Sequence, residues 1–211
     1  MAGQVITIAQ QKGGSGKTTL AVNLAVAFQK RGLRVALVDT DPQGSLGRWF
    51  MMRLEEKGEP DIEFTTATAW GIGYEMRKLT GAHDIVIIDT PPKIDSDLKP
   101  RLRAADLILV PVASSHVDLW ATEGLVDLAE RVDKSVLVVL NRTRPHTRLG
   151  VEIAEMANDS GADVAAATFG NRVVYAESLG KGRGALEAPR RGVAGQEVEA
   201  LAAEVLARLS D

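Results

Sequence analysis

A glycine-rich loop between an apolar strand and a helix constrains this chain more than any other stretch. Residues 5–9 form an apolar run typical of a buried strand, and a helical pattern extends from Leu20 to Lys30. The segment between them has the sequence Gln-Gln-Lys-Gly-Gly-Ser-Gly-Lys-Thr-Thr, residues 10–19. Glycines allow successive backbone N–H groups to point at phosphate oxygens, and the N-terminus of the following helix adds its dipole. The sequence therefore predicts a phosphate-binding loop (P-loop) at the start of an α/β fold.

Two side chains at the end of this loop carry the chemistry expected of a nucleotide site. In the pattern G-x-x-x-x-G-K-[ST], the lysine reaches the β- and γ-phosphates and the hydroxyl binds Mg²⁺. Here these residues are Lys17 and Thr18. The predicted nucleotide-binding set is completed by Lys12, Gly13, Gly14, Ser15, Gly16 and Thr19.

The loop departs from the standard spacing at its first position. A glycine is expected at residue 11, but the chain has Gln11 followed by Lys12. The segment from Lys12 to Thr18 resembles the deviant P-loop of the ParA/MinD family of nucleotide-driven positioning ATPases, and in particular the short, ParF-like members. This resemblance implies that ATP and Mg²⁺ are the cofactors. It also implies that Lys12 contacts the phosphates held by a partner subunit, so that two chains enclose ATP in a homodimer.

Three carboxylates follow two further apolar strands. Asp39 and Asp41 come after residues 34–38, and Asp89 comes after residues 84–88. Ligands of α/β proteins bind at the carboxyl ends of the strands, where such side chains can hold Mg²⁺ or orient an attacking water. The segment Asp-Thr-Asp-Pro resembles the first switch of the family, which assigns Asp39 to the metal and Asp41 to the water. Asp89 ends a buried strand as a Walker B carboxylate does, beside the metal. The predicted catalytic residues are therefore Lys12, Lys17 and Asp41, and the predicted metal ligands are Thr18, Asp39 and Asp89.

The remaining pattern alternates strands and helices. We predict strands at 62–66, 107–112, 135–142 and 162–169, and helices at 44–57, 71–79, 93–104, 117–131, 145–160 and 195–209. The predicted fold is α/β, with a mostly parallel sheet of seven or eight strands flanked by helices on both faces, as in P-loop NTPases. We expect one domain, 1–211, without an N-terminal DNA-reading domain. Asn141 lies near the end of the strand at 135–142, and its amide can both donate to and accept from a purine. The family resemblance implies such a base contact.

Composition narrows the possible functions. The chain lacks cysteine, which excludes disulfides, thiolate metal sites and the iron–sulfur clusters that some relatives carry. Its net charge of −3 does not favour an indiscriminate nucleic-acid binder. However, five basic residues accompany two acidic ones between 171 and 191. We predict weak DNA contacts by Arg172, Lys181, Arg183 and Arg191, the alternative being ordinary solvated charges.

The predicted function is a slow, partner-stimulated ATPase that dimerises on ATP. By the family resemblance, it binds non-specific DNA and positions a plasmid, chromosome or protein cargo through a ParB-like adaptor. We expect a cytoplasmic protein, because no signal peptide or apolar run of about 20 residues is present. The family resemblance implies that it is also nucleoid-associated. One alternative is a MinD-like ATPase at a membrane surface, but the polar face of the final helix is rich in glutamate and does not suit anionic lipid. The other alternative is a P-loop ligase or kinase for a small molecule.

Overall fold

A seven-stranded parallel sheet forms the centre of the molecule. In the computed structural model, the described residues are 2–93, 96–113, 115–144, 151–153, 155–156, 162–189 and 192–210. The spatial order of the strands is β3-β2-β4-β1-β5-β6-β7, and every neighbouring pair is parallel. The strands are β1 (Gln4–Ile8), β2 (Val35–Asp39), β3 (Glu63–Thr66), β4 (Ile85–Asp89), β5 (Leu107–Ala113), β6 (Val136–Asn141) and β7 (Asp163–Val164).

Helices cover both faces of this sheet. They are α1 (Lys17–Lys30), α2 (Ser45–Lys57), α3 (Ile72–Ala82), α4 (Leu98–Arg103), α5 (His116–Glu130), α6 (Val173–Leu179) and α7 (Gly192–Ser210), with a 3₁₀ turn at Ala185–Glu187. Residues 151–153 and 155–156 are also helical, whereas the rest of the helix predicted at 145–160 lies outside the described residues. The predicted fold class is therefore confirmed.

Alternate residues of the apolar strands bury on opposite faces. In β4, Ile85 and Ile87 pack in the cluster that contains α1 and α7, while Val86 and Ile88 pack in the cluster that contains α3. Strands covered on both faces consist of nearly continuous apolar residues, which is the pattern seen in the sequence. Burial of these side chains is the main force that holds the layers together.

The register of the strands brings the ends of β1, β2 and β4 together. Asp39 is paired with Asp89, and Asp89 is paired with Ile8. The first two carboxylates and the loop after β1 therefore lie at one edge of the sheet. β1 has β4 on one side and β5 on the other, so this edge is also the point where the strand order reverses and where such sheets bind ligands.

The last strand and the last helix differ in length from their predictions. The strand predicted at 162–169 is wrong in extent, because β7 comprises two residues. Beyond it, the chain touches β6 only at separate points, where the N–H groups of Ala165 and Phe169 donate to Val138 and Leu140. The final helix is longer than predicted and buries Val198, Leu201, Ala202 and Val205 in the core, as expected. Among the described helices, none is long and apolar enough to cross a membrane.

Candidate nucleotide-binding site

Gly16 gives the P-loop its shape. It is the N-cap of α1 and has φ +100°, a left-handed conformation that L side chains rarely adopt. A Cβ atom at this position would lie 2.1 Å from Nδ2 of Asn141. Both its backbone angle and its surroundings therefore require glycine, and the close approach brings the end of β6 against the loop.

Lys17 is buried at the start of α1 and is bonded to the loop itself. Its Nζ atom donates to the backbone oxygen of Gln10 at 3.0 Å and to that of Lys12 at 3.4 Å. Burial lowers the pKa of Lys17 from its ordinary value, while Asp89 and Asp41 oppose that shift. A buried ammonium group whose hydrogen-bond partners are neutral carbonyls is stabilised strongly by a nearby anion. Phosphate oxygens are anions that could bind to it.

Thr18 and Asp89 form the part of the site that suits a metal ion. The Thr18 hydroxyl donates to Oδ2 of Asp89 at 2.6 Å. Over the part of the chain that the structure describes, Oδ1 of Asp89 is buried without a hydrogen-bond partner. Burial raises the pKa of Asp89 to about 7, since an ionised carboxylate is costly in a dry pocket without a cation. An orphaned carboxylate oxygen beside a hydroxyl fits Mg²⁺, whose usual protein ligands are one or two side-chain oxygens.

The described residues contain no group of three or more His, Cys, Asp or Glu side chains that could hold a metal by themselves. A magnesium ion here would therefore depend on oxygens of a bound nucleotide and on water. This is the way in which Mg²⁺ binds in nucleotide sites.

Asp39 and Asp41 occupy different positions in the loop after β2. Both oxygens of Asp39 accept backbone N–H groups, from Asp41 at 2.9 Å and from Gly47 at 3.0 Å. Asp39 thus fixes the path of the loop, a role that the sequence prediction missed. Asp41 lines a cavity of about 280 Å³ together with Lys17, Thr18 and the loop glycines. The structure places Asp41 beside the P-loop, and its catalytic role and metal binding by Asp39 both stay predictions.

Asn141 braces the P-loop. Its Nδ2 atom donates to the backbone oxygen of Ser15 at 2.8 Å, and its Oδ1 atom accepts the N–H of Arg142 at 2.8 Å. It also lines a cavity of about 140 Å³ with Thr19, Arg172 and Tyr175. The bracing role was not predicted from sequence, although an amide at the end of a strand near the P-loop was the available signal. The contact with a base stays a prediction.

Lys12 is held within its own chain. Its Nζ atom lies 2.8 Å from Oδ2 of Asp118 in the first turn of α5, and the hydroxyl of Ser115 also donates to that carboxylate. The Asp118 side chain is 5% exposed, whereas that of Lys12 is 42% exposed. Lys12 therefore lies at the surface beside the loop, and its contact with a partner subunit stays a prediction.

The predicted DNA contacts are dispersed. Arg172 lies 2.6 Å from Glu197, and Arg183 forms a hydrogen bond of 2.6 Å with Glu56. Lys181 is exposed, and Arg191 lies outside the described residues. The two paired arginines line different cavities, so the described structure does not join them in one basic patch. Their role in DNA binding stays a prediction.

The loop, the buried lysine and the Thr18–Asp89 pair on this sheet define a P-loop nucleotide-binding protein of the α/β class. The CobQ/CobB/MinD/ParA nucleotide-binding domain model matches residues 6–182, and the chain belongs to this family. The resemblance to ParA/MinD ATPases that the loop indicated is thereby confirmed.

Relatives and solved structures of this family cover much or nearly all of the chain. The chain is 29% identical to maintenance of carboxysome distribution protein A of Halothiobacillus neapolitanus, over 95% of each chain. It is 32% identical to the chromosome-partitioning ATPase Soj of Thermus thermophilus, over 60% of this chain and 61% of that relative. The structure of an ATP complex of a Cyanothece McdA variant has a TM-score of 0.79 at 16% identity, covering 99% of this chain and 97% of that one. MinD of Aquifex aeolicus has a TM-score of 0.78 at 21% identity, covering 97% of both chains.

Proposed function

We propose that this protein is an ATP-hydrolysing positioning ATPase that pairs on ATP, binds DNA without sequence specificity and is released when an adaptor or cargo protein stimulates hydrolysis. The proposal rests on one arrangement at the P-loop. Lys17 is buried there, Oδ1 of Asp89 has no hydrogen-bond partner among the described residues, and a second lysine, Lys12, is exposed beside them. The relative from Halothiobacillus matches over nearly its whole length, and its name concerns carboxysome distribution. We therefore propose a cargo body that must be distributed within the cell.

The chain's own residues bind and orient the nucleotide in this proposal. The N–H groups of the loop and the N-terminus of α1 receive the phosphates, and Lys17 exchanges its backbone carbonyl partners for phosphate oxygens. Thr18 and Asp89 would hold Mg²⁺, which would supply positive charge to the β- and γ-phosphates. Asp41 lies in the same cavity as Lys17, so its carboxylate is in position to orient a water molecule near the terminal phosphate.

For the bound nucleotide to control DNA binding, Lys12 must exchange its ion-pair partner. In the single chain, Asp118 neutralises this lysine. Pairing of two chains transfers Lys12 to the nucleotide of the neighbouring subunit, and the dimer presents the basic residues of both chains. Affinity for DNA depends steeply on the number of phosphates neutralised, so doubling the basic surface strengthens binding.

Retention of random-sequence DNA at low salt with ATP or with ADP tests this coupling. We expect strong retention with ATP, weak retention with ADP, and a steep loss of the ATP-dependent part as salt rises. Equal retention with the two nucleotides would overturn the proposed coupling. A companion assay of phosphate release without any second small substrate separates this function from a ligase or kinase, which would show no turnover.

A further inference from the structure

A second cavity lies on the side of the loop 39–47 away from the P-loop. Its volume is about 640 Å³, against about 280 Å³ for the cavity at the P-loop. It is open to solvent and is lined by that loop, by α2, by the end of β3 and the turn that follows, and by α4 with the residue before it. Asp41 belongs to the linings of both cavities, and Asp39, also discussed for the nucleotide site, lines this one. The other lining residues play no part in the nucleotide site proposed above.

The lining combines an apolar wall with an excess of carboxylates. Pro42, Met51, Phe64, Ala67 and Ala69 supply the apolar part. The charged side chains are three aspartates and one arginine, namely Asp39, Asp41, Asp97 and Arg101. Arg101 is itself buried and donates through Nη1 to the backbone oxygen of Asp97. The cavity therefore has the charge and the shape to receive a basic side chain with aliphatic neighbours.

The rim of the cavity carries exposed residues of the types that dominate binding energy at protein interfaces. Trp70 follows the lining residue Ala69 and is 90% exposed, and Met51 is 55% exposed. Tryptophan and methionine are enriched at such interfaces, and tryptophan is among the commonest hot-spot residues. The neighbouring strand β3 is the last in the sheet order and pairs with β2 alone among the described strands.

We propose that this cavity and its rim are a docking surface for a partner protein, which inserts a lysine or arginine side chain flanked by aliphatic residues. The proposal deepens the proposed function, on which it rests, because it gives the adaptor a position on the chain. Charge complementarity selects this occupant: an anionic lipid surface would meet the same carboxylates and be repelled.

Occupation of the cavity has a consequence for the nucleotide site. Asp39, Asp41, Gly44 and Gly47 all belong to the lining, and Asp39 fixes the loop through its bonds to Asp41 and Gly47. A partner seated there restrains the segment that carries Asp41. Docking at this surface and the position of Asp41 are therefore linked, and a bound nucleotide that orders the same loop should change affinity for the partner.

Selection from a random peptide library on the full-length protein tests the surface without assuming which partner occupies it. We expect the enriched peptides to contain lysine or arginine beside aliphatic residues. Their dissociation constants should rise roughly tenfold for Trp70→Ala and for Asp97→Asn. The matched control is Trp120→Ala, which removes another tryptophan, 57% exposed on α5, and should leave binding unchanged. In a Trp120→Phe background, the fluorescence of Trp70 should shift to shorter wavelength when the peptide binds, because the peptide covers this exposed side chain. Trp49 is already buried and should not contribute to the shift.

Other outcomes would overturn the proposal. Enriched peptides without basic residues, or binding that Trp70→Ala and Asp97→Asn leave intact, would exclude this surface as the docking site. Self-association in sedimentation that is lost in Trp70→Ala would assign the surface to a second copy of the chain. Flotation with anionic vesicles that depends on Trp70 would assign it to a membrane. Peptide binding needs no nucleotide turnover, so a failed ATPase assay and a failed peptide selection are distinguishable results.

Discussion

At the scale of single residues, the P-loop depends on Gly16, because the Asn141 side chain occupies the place where any other residue would have its Cβ atom. Gly16 has both a left-handed backbone and the Asn141 amide where a Cβ atom would lie. Gly14 is also left-handed, at φ +74°, but a Cβ atom there would have no neighbour within 4 Å. A substitution at Gly14 would therefore cause backbone strain alone, whereas one at Gly16 would cause both backbone strain and a steric clash.

We expect Gly16→Ala to abolish nucleotide binding and Gly14→Ala to weaken it moderately. A left-handed alanine costs about 1–2 kcal/mol in either case. At residue 16, the added methyl must also displace Asn141, which breaks the bond between its amide and Ser15. Titration with a fluorescent ADP analogue measures both affinities, and thermal unfolding verifies that each variant folds. Equal loss of affinity in the two variants would show that Asn141 does not brace the loop.

At the scale of elements, a buried arginine joins α2 to the chain near its C-terminal end. Arg53 is 1% exposed, and it lies 2.6 Å from Asp61 and 2.8 Å from Glu187. It also donates to the backbone oxygen of Gly182 at 3.1 Å. These bonds fix the segment around the 3₁₀ turn against α2, and they satisfy a charge that would otherwise be costly to bury.

We expect this cluster to contribute stability that is lost in acid. Burial by itself raises the pKa of Glu187, but hydrogen bonds from Arg53 and from the N–H of Gly184 outweigh it and lower the pKa to about 2. The unfolded chain has the ordinary value of 4.5. A depressed pKa means that the stabilisation is complete above about pH 4.5 and disappears as the pH falls toward 2; the shift corresponds to about 3 kcal/mol.

Urea unfolding at about pH 5 and about pH 3 measures this contribution. The wild type should lose much more stability between the two pH values than Glu187→Gln, because the amide does not titrate. Glu55→Gln, an exposed position on α2, is the control and should follow the wild type. If Glu187→Gln kept the full pH dependence, the cluster would not be its source.

The elements also show how far sequence patterns determine this molecule. Apolar periodicity located β1, β2, β4, β5 and β6, which are nearly continuous apolar strands buried on both faces. It failed at residues 162–169, where the chain follows the sheet edge with scattered hydrogen bonds. In the site, the placement of the glycines, Lys17, Thr18 and Asp89 at one edge of the sheet was predictable, because all of them lie at or after the carboxyl ends of strands that end there. The bond from Asn141 to Ser15, the loop-fixing role of Asp39 and the burial of Arg53 were not predictable, because each depends on contacts distant in sequence.

At the scale of the whole molecule, the lysine that departs from the standard P-loop separates nucleotide binding from pairing. We expect Lys12→Ala to bind ATP with nearly unchanged affinity, because Lys17 remains, but to stay a single chain. Light scattering with Mg²⁺ and ATP measures the mass of each variant.

Asp118→Asn is the matched control for that variant, because it also breaks the 2.8 Å ion pair but leaves Lys12 in place. It should pair at least as readily as the wild type, since Lys12 is no longer held within its own chain. Normal pairing of Lys12→Ala, or an equal failure of both variants, would contradict the assignment of Lys12 to the partner's nucleotide.

The mass of Asp41→Ala in sedimentation with Mg²⁺–ATP and with Mg²⁺–ADP tests most directly whether two chains pair on ATP. This variant lacks the carboxylate that we propose to orient the water, so ATP should stay intact while the P-loop, Lys12 and Asp89 are unchanged. We predict twice the mass of one chain with ATP and the mass of one chain with ADP. A single-chain mass with intact ATP bound, at high protein concentration, would contradict this pairing.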